Sequence, residues 1–121
     1  MEFSIYTKYF ILSGLTIISN DKAIRSLTST YNKLAKAYDT MAAKGAPTTL
    51  VKKRRDAIKV AIACLMGHEV SETEAQMSCE VLQSLVPAIT TQLAKAKRGS
   101  AQHTLNARRL VALQLAIAKL N

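Results

Sequence analysis

The chain has 121 residues, 49% of them apolar, enough to bury a core without a metal or a disulfide framework. Lysine and arginine outnumber aspartate and glutamate by 17 to 8, a net charge of +9 that favours nucleic acid, acidic proteins or anionic lipid as partners. Two cysteines are too few for a secreted disulfide scaffold, and no apolar run approaches the roughly 20 residues of a membrane span.

Residues 1–19 differ from everything after them. Phe3, Ile5, Tyr6, Thr7, Tyr9, Phe10, Ile11, Thr16, Ile17 and Ile18 are β-branched or aromatic and suit a pleated, half-buried surface. Ser13-Gly14 can turn the chain, so a short β-hairpin is expected; an extra apolar helix with Phe3, Tyr6, Phe10 and Ile17 inward is the alternative. Either form is a candidate homodimer contact. The segment resembles a weak signal peptide, but Glu2 spoils the basic start and no A-x-A site follows, so a cytoplasmic location is expected.

The first helix is predicted over Asp21 to Lys44, capped by Asn20 and stopped by Gly45. Its seam is Ile24, Leu27, Tyr31, Leu34, Tyr38 and Met41, alternating three and four residues. A second helix follows a Thr49 cap, with Leu50, Val51, Ile58, Ile62, Leu65 and Met66 as its apolar stripe. Within it, Lys52, Lys53, Arg54 and Arg55 stand in the first turns, where the helix dipole prefers carboxylates. A charge run set against its local preference is a better sign of function than one at a helix C-terminus.

The third helix opens on Ser71-Glu72-Thr73-Glu74, a capping box that accounts for its acidic first turn. Leu82, Leu85, Ile89 and Leu93 stay in phase through Pro87, so one kinked helix from Glu72 to Arg98 is expected. The fourth begins near Ser100, with Leu110, Leu113, Ile117 and Leu120 at heptad spacing and Leu105 and Val111 beside them. Short connections then predict a single all-α domain over 1–121, an antiparallel four-helix bundle over 20–121 with the apolar segment 1–19 attached.

In that arrangement the first and third connections share one end. Around them cluster Lys44, Lys52, Lys53, Arg54, Arg55, Lys95, Lys97, Arg98, Arg108 and Arg109, while Glu69, Glu72, Glu74 and Glu80 mark the other end. Nothing in the chain calls for catalysis or a cofactor. Cys64, His68, Cys79 and His103 would be the metal set, but Gly67 ends the helix before His68 and the remaining pair lacks knuckle spacing. Both cysteines read as small buried hydrophobes. The expected function is a small, non-enzymatic, basic binding protein of the kind common among bacteriophage and plasmid accessory or regulatory proteins. It would dock Lys52, Lys53, Arg54, Arg55, Lys95, Lys97, Arg98, Arg108 and Arg109 on nucleic acid with weak sequence preference. The alternative is an inhibitor or adaptor that holds an acidic surface of another protein.

Overall fold

The computed structural model describes residues 19–121; the expectations for the apolar segment and its dimer contact lie outside the described residues. Four helices follow one another: α1 (Asn20–Ala43), α2 (Thr49–Leu65), α3 (Glu72–Lys95) and α4 (Ala101–Leu120), with no strand among the described residues.

Three of the four starts are capped by serine. Ser19, Ser71 and Ser100 are extended, with ψ of 162°, 153° and 160°, and their hydroxyls accept from the backbone N–H of Lys22, Glu74 and His103. Each satisfies one of the orphan donors of a first turn. The expected cap at Asn20 is therefore one residue late, because the chain is still extended at Ser19 and already helical at Asn20. The released Asn20 side-chain amide instead donates to the Leu65 carbonyl at the end of α2, at 3.2 Å. The expected Thr49 cap also moves, since Thr49 is already helical. Thr48 precedes it at φ −114°, ψ −1°, and makes no side-chain cap bond from that conformation.

The ends of α1 and α2 share one device. Gly45 and Gly67 take φ of +72° and +86°, a region that only glycine enters without a side-chain penalty. Their N–H groups reach Ala42 and Cys64, and the next residues, Ala46 and His68, donate to Met41 and Ala63. Both are Schellman closures. Helix α3 runs unbroken through Pro87, as the phase of its apolar residues requires, but stops at Lys95 rather than Arg98. Ala96 turns extended at ψ 140°, and Lys97 closes a turn by accepting from the Ser100 N–H at 3.0 Å.

Each of α1 and α3 packs against both α2 and α4, and α2 and α4 also meet each other across the middle. Among the described residues, α1 and α3 do not approach one another. The shared core holds Leu27, Ile58, Leu65, Leu82 and Leu113 together with Ala23, Ala57, Ala61, Ala112 and Ala116. Ile24, Tyr31, Leu34, Leu85, Ile89, Ile117 and Leu120 pack against it, so most of the expected seams of α1, α3 and α4 hold, while Tyr38, Met41, Leu93 and Leu105 are half-buried outside this core. The stripe of α2 needs correction at both ends: Leu50 is 60% exposed and Met66 58% exposed. Its inward face is Val51, Ala57, Ile58, Ala61 and Leu65, because α4 comes close enough that alanines fill the space.

Helix α4 is enclosed on several sides, with Leu110, Val111, Ala112 and Leu113 buried in succession. One turn earlier on its seam stands Asn106, 1% exposed, with neither Oδ1 nor Nδ2 hydrogen-bonded. Orphaning a buried amide costs about 1–3 kcal/mol. Replacing Asn106 with leucine, which has the same branched skeleton but a larger volume, removes both orphaned atoms and is therefore expected to raise unfolding stability by about 1 kcal/mol in urea titration. A fall instead would mean that the amide is satisfied by enclosed water or that the site has no room for the larger side chain. Ala61→Leu should do the opposite, lowering stability by about 1–3 kcal/mol through overpacking. An unchanged urea midpoint would show that α2 and α4 are not held close there.

Candidate polyanion-binding surface

The run Lys52 to Arg55 divides once folded. Lys52 Nζ donates to Asp56 Oδ2 at 3.1 Å, one turn on. Arg55 reaches Asp56 Oδ1 at 3.4 Å, and its guanidinium lies 4.6 Å from the centre of the Tyr38 ring on α1. Asp56 thus draws two of the four cations to itself. The ring contact adds a cation–π attraction, about 0.5–1 kcal/mol where partly exposed. Lys53 is exposed but lines a hollow between α2 and α3 with Asp56, Glu74 and Glu80, so carboxylates surround it.

Arg54 and Arg109 are half-buried, and the Nε of each is enclosed without a hydrogen-bond partner. Arg54 stands on the inward seam of α2, three residues after Val51 and four before Ile58. Its stem, like that of Arg109, packs as hydrocarbon while the terminal amino groups remain the outward end.

At the corner between α3 and α4, Lys95, Lys97 and Arg98 are exposed and make no ion pair among the described residues. Lys95 closes the last turn of α3, where a cation complements the helix dipole, but Lys97 and Arg98 lie beyond the helix in the turn. Arg108 is exposed as well. It lines a hollow between α4 and α1 together with Lys22 and Arg25, two cations that the sequence reading did not single out. Their signal was present: Lys22, Arg25, Ser29, Lys33 and Lys36 recur at helical spacing on α1, and all are exposed. Charge is denser near the connections, whereas this stripe is spread one residue per turn along a helix.

The described residues hold no group of three or more His, Cys, Asp or Glu side chains close enough to bind a metal ion. Burial, and secondarily the neighbouring Glu80, push the Cys79 thiol above its ordinary pKa. It therefore stays protonated at neutral pH and is a poor nucleophile. Cys64 is only half-buried, more open than the expected core position, and both cysteines are free. No helix among the described residues is long and apolar enough to cross a membrane.

Asp56→Asn should release Lys52 and Arg55 at little structural cost, because exposed pairs contribute about 0–1 kcal/mol. A melting temperature nearly unchanged, with tighter retention on heparin, is expected. Unaltered retention would show that these two cations face no polyanion in either state. No protein-family model matches the chain, and no curated protein or solved structure is similar to it.

Proposed function

We propose that this protein is a non-enzymatic binding module that docks a basic end on nucleic acid with weak sequence preference. The reading takes the helices as antiparallel, so that the α1–α2 and α3–α4 connections share one end. Three contacts support that direction for consecutive pairs. Asn20 at the start of α1 bonds Leu65 at the end of α2, and Arg55 near the start of α2 lies over Tyr38 in the later half of α1. Cys79 Sγ, in the first half of α3, lies 3.7 Å from the Asn121 side chain just past α4.

The observation that carries the proposal is the charge left over. The ion pairs among the described residues both converge on Asp56, and Lys95, Lys97 and Arg98 stand exposed and uncompensated at the α3–α4 corner, while Arg108, also exposed, lies beside Lys22 and Arg25 of α1. Phosphate contacts of this kind give affinity and orientation without reading bases. None of these residues is aromatic, so duplex backbone suits them better than stacked single strands. Arg54, Arg55 and Lys52 contribute less than their number suggests, being held in the fold or paired.

The test is fluorescence anisotropy with a labelled duplex of arbitrary sequence. Binding should be strongest at about 50 mM salt and fall steeply with log salt, by roughly 0.9 per phosphate neutralised. Changing Lys95, Lys97 and Arg98 together to glutamine should flatten the slope by roughly 2.7 if each neutralises one phosphate. Absence of duplex binding at low salt would overturn the nucleic-acid reading and favour an acidic protein surface as the partner.

A further inference from the structure

The hollow between α1 and α4 is lined by Lys22, Arg25, Ser26, Ser29, Leu105 and Arg108. Three cations and two hydroxyls face one trough, and among the described residues no carboxylate lines it. That composition separates it from the hollow on the other side of the bundle, where Lys53 meets Asp56, Glu74 and Glu80. Among the described residues none of Lys22, Arg25 and Arg108 has an ion-pair partner, although Asp21 stands one turn before Arg25 on the same helix.

The hydroxyls carry the second observation. Serine and threonine inside a helix commonly turn back onto the carbonyl four residues earlier. Thr28 and Thr30 do so here, donating to Ile24 at 2.7 Å and Ser26 at 3.1 Å. The side chains of Ser26 and Ser29 make no hydrogen bond among the described residues, so both donors remain available in the trough. Cations and unspent hydroxyl donors without a carboxylate are the complement of a phosphodiester: point charge for the anion, short donors for its oxygens.

We infer that this trough is a duplex-phosphate site, and that α1 lies along the nucleic-acid backbone. Arg25 and Ser29 also border the adjoining depression, which continues along α1 to Lys33 and Lys36. Lys22 and Lys36 stand about 21 Å apart along a helix rising ~1.5 Å per residue, enough to follow several phosphates of one strand. Arg108 reaches the same track from α4, so the site exists only once the two helices are packed together. The inference rests on the nucleic-acid reading and extends the contact from the bundle's end along its side.

Three proteins decide it, each bound to the same labelled duplex over a salt series: the parent, Lys22→Gln/Arg25→Gln/Arg108→Gln, and Lys95→Gln/Lys97→Gln/Arg98→Gln. The trough variant should flatten the salt slope by roughly 2.7 and weaken low-salt binding more than the corner variant does. A parent that fails to bind duplex overturns the nucleic-acid reading and this site with it. A parent that binds, with a trough variant indistinguishable from it, overturns the trough alone. Circular dichroism melting checks that each variant folds. Amide NMR shifts of the parent on duplex titration read the site without substitution: Ser26 and Ser29 should move, and their silence while Lys97 and Arg98 shift would reject the trough.

Discussion

The close approach of α2 and α4 across the middle of the bundle is the constraint on which the remaining packing depends. Ala57 and Ala61 on one helix, and Ala112 and Ala116 on the other, are all buried, and small side chains allow two helix backbones to draw together. Once α2 and α4 occupy the centre, α1 and α3 are kept to opposite flanks, each touching both. This explains why α4 is buried through four successive residues while α1 buries only Ala23 and Leu27 completely. A helix with one narrow buried stripe keeps a broad outer face, and on α1 that face carries lysine, arginine and serine.

The same geometry decides which charges remain effective. A cation's reach toward a partner depends on its neighbours within a few ångströms, since screening at physiological salt weakens anything beyond about 8 Å. Asp56 takes up Lys52 and Arg55, Glu74 and Glu80 border Lys53, and Arg54 and Arg109 thread their stems into the bundle. Among the cations left outward and uncompensated, groups gather at the α3–α4 corner and along α1, with Arg108 of α4 beside the latter. A net charge of +9 thus becomes a small number of local fields, and composition does not say where they are.

Asn106 sets a cost inside this arrangement that no local rule anticipates. It stands where a leucine would extend the seam of α4, and both of its polar atoms are unpartnered. Polar residues at such positions can favour one register over others at the expense of stability. In a core rich in alanine, whose small side chains interlock weakly, helix register has few other determinants.

Local interactions were legible in the sequence. Helix count, the capping box at Ser71, the glycine stops after α1 and α2, and the continuity of α3 through Pro87 all arise within a few residues, where hydrogen bonds and φ preferences act. Even where structure and expectation differ there, the shift is one residue at Asn20 and at Thr49 and three at Arg98. What only the tertiary structure decided were quantities set between helices. Alanine looks the same in sequence whether it faces solvent or a neighbouring helix, so Ala57, Ala61, Ala112 and Ala116 were not read as core, while Leu50 and Met66 were. The candidate site divided in the same way. That Lys95, Lys97 and Arg98 stand exposed followed from their position after the seam of α3, but the meeting of Arg108 with Lys22 and Arg25 joins residues more than 80 positions apart. Spacing along one helix fixes which side chains share a face. Which faces meet is decided by packing, and that depends on the whole chain at once.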